Sequence, residues 1–249
     1  MMNHEQLLVS SSGAILFDPA LSPQVGPAWF DQDHWQSLGA LRTQVGGRGS
    51  VALIDTPAGE CVLRHYRRGG LVARLLGDHY LWTGADRTRA FSEFRLLLSM
   101  AHEGLPVPRA VAARYVRDGL FYRADLITVR LADASTLAEL LAVGRLDAEL
   151  AELVGALVAR FHRVGIWHAD LNAHNILVTG SELFLIDFDR GERRRPAESW
   201  RLANLQRLRR SLIKLGAAPR GEHVFDDTIW KPLLYRYELT LGSEQLGLL

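Results

Sequence analysis

Cysteine is almost absent. The chain of 249 residues has one, Cys61, so no intramolecular disulfide can form and the fold must rest on its apolar core. Lysine is nearly as scarce: two, Lys214 and Lys231, stand against 27 arginines, so chemistry before residue 214 that ordinarily uses a lysine must use another group. No run approaches the ~18 apolar residues of a spanning helix. Residues 1–12 lack the basic segment and apolar run of a secretory signal, so a reducing cytoplasm is expected. Internal repeats and low-complexity stretches are missing too. What is present is an ordinary globular composition, 48% hydrophobic and 23% charged with a net charge of +1. A chain of this length can bury roughly three quarters of its unfolded surface, in one large domain or two lobes. A net charge of +1 without a recognition motif leaves nucleic acid out of the expected partners.

Two textures divide the chain. Residues 41–45, 51–55 and 61–66 read as strands separated by the glycine cluster at 46–49 and by Pro57-Ala58-Gly59. A helix is predicted over 89–102, where Phe91, Phe94, Leu98 and Ala101 recur at three- and four-residue steps before Gly104 and Pro106. Residues 107–116 and 120–131 return to strand composition around Arg117-Asp118-Gly119. Beyond Ala132, helices dominate. Thr136-Leu-Ala-Glu139 has the capping-box form, 147–164 carries an apolar stripe, and 200–215 and 226–241 read as amphipathic helices. A hinge is expected at 131–134, between a β-rich and an α-rich part.

The segment Trp167-His168-Ala169-Asp170-Leu171-Asn172-Ala173-His174-Asn175-Ile176-Leu177-Val178 carries the chemistry, with Leu185-Ile186-Asp187-Phe188-Asp189 after it. One carboxylate, an amide five residues later and a second carboxylate ending the next strand are what phosphoryl transfer from a nucleotide uses. Asp170 would accept the proton of the attacking hydroxyl, while Asn175 and Asp187 would offer hard oxygens to Mg²⁺ on the phosphates.

His168-x-Asp170-x-x-x-x-Asn175 and Asp187-Phe188-Asp189 resemble the catalytic loop and metal motif of the protein-kinase-like superfamily. The resemblance implies an α+β, two-lobed fold: an N-lobe over 1–132 and a C-lobe over 133–249. It implies ATP and Mg²⁺ as cofactors. The N-lobe would hold a glycine-rich loop (Gly46, Gly47, Gly49), a phosphate-binding strand and a helix. The family's strand lysine is missing, so Arg64 is the expected phosphate ligand, with Glu93 as its ion-pair partner. His168 is expected to hold the catalytic loop by packing and hydrogen bonding. Asn172 stands where many serine/threonine protein kinases carry a lysine, so transition-state charge must be met elsewhere, by an arginine or His174.

Three departures separate the chain from protein kinases. Asp189 replaces the usual glycine, no Ala-Pro-Glu follows, and 62 residues (249 minus 187) remain after Asp187. The short tail is similar to the aminoglycoside and choline kinase branches. Arg64-His65-Tyr66-Arg67-Arg68-Gly69-Gly70-Leu71, Tyr80-Leu81-Trp82 and the catalytic loop together resemble the 3-deoxy-D-manno-octulosonic acid (Kdo) kinases of lipopolysaccharide core assembly. That likeness implies phosphorylation of the Kdo 4-hydroxyl on a lipid A precursor, by a peripheral protein at the cytoplasmic face of the inner membrane, with no obligate protein partner. Two clusters suit an anionic lipid-linked sugar or a lipid surface: Arg67, Arg68 and Arg74 among leucines, and eight arginines between 190 and 210. A different small-molecule kinase, and a catalytically silent kinase-like binding module, are the alternatives.

Overall fold

The computed structural model describes residues 5–43, 51–67, 77–180 and 182–242. The glycine cluster Gly46, Gly47 and Gly49, and Arg68, Leu71 and Arg74, lie outside them. The chain divides into two units, Met1–His102 with Pro108–Arg130, and Glu103–Val107 with Leu131–Leu249.

In the first unit the strands are β1 (Gln6–Val9), β2 (Gly13–Phe17), β3 (Leu41–Thr43), β4 (Val51–Thr56), β5 (Gly59–His65), β6 (Tyr80–Leu81), β7 (Ala110–Asp118) and β8 (Phe121–Val129); the helices are α1 (Gln32–Ser37) and α2 (Arg89–His102). Pairing is antiparallel in the order β1-β2-β7-β8-β5-β4-β3, with β6 on β8. The two-residue period of β5 sorts its side chains. Cys61 and Leu63 join Phe17, Trp35, Ile54 and Ile127 in the core that α1 covers. Arg64 points to the other face, toward α2. That helix buries Phe91, Phe94, Leu97 and Met100, and with them the carboxylate of Glu93. The N-terminal strands β1 and β2 were not anticipated; β2 is buried throughout.

The second unit contains β9 (Ser135–Thr136), α3 (Leu137–Ala142), α4 (Ala148–Arg163), β10 (Ile166–Trp167), β11 (Ile176–Thr179), β12 (Glu182–Leu185), β13 (Glu192–Arg193), α5 (Glu198–Lys214), α6 (Glu222–Phe225) and α7 (Lys231–Gly242). The capping box forms as expected: Thr136 Oγ1 accepts from the Glu139 amide at 3.1 Å and Glu139 Oε2 accepts from the Thr136 amide at 2.7 Å. Along α4, Ala151, Val154, Leu157, Val158 and Phe161 are buried, and the helix packs on α7. Gly155 makes that approach possible, because a Cβ there would lie 2.1 Å from the Leu233 carbonyl oxygen. The helix expected over 226–241 forms: the chain is helical from Glu222 to Gly242, with one wider turn, the π-helical Asp226–Trp230, between α6 and α7. Pro232 follows that turn, and a proline, with no N–H to continue the α-helical ladder, suits a wider turn before it. Among the described residues, no helix is long and apolar enough to cross a membrane.

Candidate active site

The expected site residues fall in both units. In the first, β5 and α2 bring Arg64 and Glu93 into a direct ion pair. Glu93 is buried, its side chain 2% exposed. Tyr66, two residues past Arg64 and just beyond the end of β5, donates its hydroxyl to the same carboxylate, and the Arg64 guanidinium stacks 4.7 Å from the Tyr66 ring centroid. Sequence reasoning missed Tyr66, although the i+2 spacing on a strand puts it on the face of Arg64. The neighbouring His65 faces the other way and bridges Asp125 at 2.6 Å and Asp78 at 2.8 Å.

In the second unit the catalytic loop runs from β10 to β11. His168 is buried, and its ring serves the backbone on both sides: Nε2–H donates to the Ile186 carbonyl at 2.9 Å and Nδ1 accepts from the Asp170 amide at 3.1 Å. Burial holds its pKa below the ordinary histidine value, against the opposing backbone hydrogen bond to Ile186. With a neutral ring and both nitrogens committed, His168 is built to position Asp170. Phe188 packs against it with a tilted ring at 4.8 Å between centroids and stacks on Phe161 at 5.8 Å.

The Asp170 carbonyl accepts from Asn172 Nδ2 at 2.9 Å and from Asn175 Nδ2 at 3.0 Å. Asn172 also caps the following turn by accepting from the His174 amide at 2.8 Å, so it serves as a loop brace. With its nitrogen committed to the Asp170 carbonyl, the Asn175 amide keeps its oxygen, an acceptor and a hard ligand, for a cation. The β11–β12 register pairs Ile176 with Leu185, and the Ile186 amide donates to the Asn175 carbonyl at 3.0 Å. Asn175 and Asp187 therefore sit at one end of the same hairpin. Asp187 takes φ 62°, a left-handed conformation that side chains other than glycine, asparagine and aspartate adopt at a cost. Among the described residues no cluster of three or more His, Cys, Asp or Glu could hold a metal alone. One amide and one carboxylate oxygen nevertheless fit Mg²⁺, which keeps waters and substrate phosphates as its other ligands.

Two further contacts escaped the sequence reading. Arg207 on α5 reaches the Asp170 carboxylate, Nη1 donating to Oδ1 at 2.6 Å. Asn204, also on α5, grips both backbone groups of His168, donating to its carbonyl at 3.0 Å and accepting from its amide at 3.3 Å. A polar residue interrupting the apolar positions of a helix was the available signal for Asn204. No local signal marks Arg207 among its neighbouring arginines.

Asn204 also reaches His162, with 3.4 Å between Oδ1 and Nε2, and Tyr237 Oη lies 2.9 Å from His162 Nδ1. Burial drives the His162 pKa down to about 4. The unfolded chain binds a proton below pH 6.5 that the folded chain refuses until about pH 4, so stability is lost as pH falls through that window. Over it His162 should account for roughly 3 kcal/mol. Chemical denaturation of wild type and His162→Gln at several pH values checks this. The variant should show the shallower acid loss, and parallel profiles would refute the assignment.

A two-unit α+β fold with this loop and hairpin defines a kinase of the protein-kinase-like class. Residues 32–237 match the Lipopolysaccharide kinase (Kdo/WaaP) family, and the chain belongs to it. It is 51% identical over 216 residues to a 3-deoxy-D-manno-octulosonic acid kinase of Stenotrophomonas maltophilia (strain K279a), covering 86% of this chain and 84% of that one. With a protein of the same name from Xanthomonas axonopodis pv. citri (strain 306) it shares 48% over 231 residues, covering 92% and 91%. Among solved structures, WaaP in complex with acyl carrier protein shares the fold at a TM-score of 0.52 and 18% identity, covering 86% of this chain and 88% of that one. A glucosamine kinase does so at 0.52 and 14%, covering 96% and 83%.

Proposed function

We propose that this chain is a Kdo kinase: it transfers the γ-phosphoryl group of ATP to the 4-hydroxyl of Kdo on a lipid A precursor, as a peripheral protein at the cytoplasmic face of the inner membrane. The observation that carries the reaction type is the single loop that fixes Asp170 and Asn175 beside the strand end bearing Asp187. The named relatives, about half identical, support the substrate. The acceptor oxygen attacks the γ-phosphorus, the bond to the bridging oxygen breaks, ADP leaves, and Asp170 takes the hydroxyl proton. Mg²⁺ would neutralise the phosphate charge. Asn175 and Asp187 would hold it, and Arg64, fixed by Glu93 and Tyr66, would hold phosphate oxygens in place of the missing lysine.

Incubation with ATP, Mg²⁺ and three acceptors, a Kdo-bearing lipid A precursor, an aminoglycoside and a peptide, tests the reading. Phosphate transfer to the first alone is expected. Transfer only to another acceptor, or none with any, overturns it.

Asp187→Asn tests the ligand role cleanly. Asparagine tolerates the left-handed backbone, so the charge is lost without new strain. Turnover should fall and the Mg²⁺ concentration needed for half-maximal rate should rise. An unchanged Mg²⁺ dependence would mean the ligand is another group.

A further inference from the structure

The eight arginines between 190 and 210 look alike in sequence and differ in use. Arg193 binds Glu103 and the Val164 carbonyl, and Arg194 binds Glu192 and stacks 3.6 Å from the Trp167 ring centroid. Arg201 donates to the His162 carbonyl, and Arg209 binds Asp226 and Glu222. Arg207 differs: among the described residues its polar contact is the single one to the Asp170 carboxylate, at 2.6 Å, and its side chain is 47% exposed. A guanidinium carries five N–H donors in a planar fork, so most of its capacity faces outward beside the reacting carboxylate.

Its place is set by the helix. Asn204, Arg207 and Ser211 share one face of α5 at i, i+3 and i+7. Asn204 holds the His168 backbone, and Ser211 Oγ accepts from the Ala173 amide at 3.2 Å. Residues 168–175 themselves include no arginine or lysine. An acidic acceptor approaching Asp170 meets a like charge, and Arg207 is the cation that offsets it there. An exposed ion pair adds little to folding stability, so the fold does not explain the contact.

We infer that Arg207 recognises the carboxylate of the sugar-acid acceptor while positioning the Asp170 carboxylate, which makes it an acceptor-specificity residue. The inference rests on the Kdo kinase reading, in which the acceptor is an acid. The test compares wild type, Arg207→Ala and Arg207→Lys on a Kdo-bearing lipid A precursor and on the same acceptor with its Kdo carboxyl reduced to an alcohol. For the acidic acceptor, Arg207→Ala should lose about 10- to 100-fold in kcat/KM, chiefly through the acceptor KM, with the ATP KM and Tm unchanged. Arg207→Lys should recover part of the loss. The wild-type preference for the acidic over the reduced acceptor should collapse in Arg207→Ala. A preference that survives in Arg207→Ala, or an ATP KM that rises as far as the acceptor KM, overturns the inference while leaving the Kdo kinase reading intact. If wild type phosphorylates neither acceptor, that reading fails and this inference falls with it.

Discussion

Asp170→Asn should lower turnover by a factor on the order of 10² to 10⁴ and leave ATP binding close to wild type. The substitution removes the proton-accepting charge and little else. The backbone of Asp170 does the structural work of the loop, its amide donating to His168 Nδ1 and its carbonyl accepting from Asn172 and Asn175. Its side chain meets Arg207 at a surface, where a lost pair changes stability by at most about 1 kcal/mol. Tm should therefore hold while kcat collapses. Steady-state kinetics beside thermal unfolding of the same sample check it, and wild-type turnover in Asp170→Asn removes Asp170 from the proposed reaction.

Arg64→Ala is the second large effect, and the structure makes it two effects. If Arg64 holds phosphate, the ATP KM should rise and kcat fall, together worth about 1.5–3 kcal/mol for a charge-assisted contact. The same substitution strips the cation from Glu93, whose side chain is 2% exposed, and breaking a buried pair costs about 3–5 kcal/mol of stability. Combining Arg64→Ala with Glu93→Gln separates the two. Neutralising the stranded carboxylate should return most of the lost Tm and none of the lost ATP affinity. Arg64→Lys should fold and recover only part of the activity, since a point charge cannot copy a planar fork. If the double variant regains wild-type ATP kinetics, Arg64 is a structural residue and the phosphate ligand is another.

The elements nearest the site were the most readable. Residues 89–102 form the helix that the spacing of Phe91, Phe94, Leu98 and Ala101 predicts, ended before Gly104, although the buried face is turned slightly, onto Leu97 and Met100 in place of Leu98 and Ala101. The capping box at Thr136 is equally local, set by side-chain to backbone bonds within three residues, and the strand leading to Asp187 pairs with the strand just before it in the chain. The π turn ahead of Pro232 shows the limit. The apolar period over 226–241 predicts a helix and one forms, but nothing in that period marks one of its turns as wider than the rest.

By itself, the sequence determined the kinase class, the loop from His168 to Asn175 with the carboxylate at Asp187, and the absence of any lysine before residue 214. These are facts of residue type and spacing along one strand, turn or helix, where the interacting groups are chain neighbours. Only the tertiary structure decided that Glu93 is shared by Arg64 and Tyr66, that Asn204 grips His168 from 36 residues away, and that Arg207 alone of eight similar arginines meets Asp170, 37 residues before it. Those pairings depend on which helix face the core turns toward which loop. An exposed ion pair is worth too little free energy to leave a pattern in the chain that would reveal it.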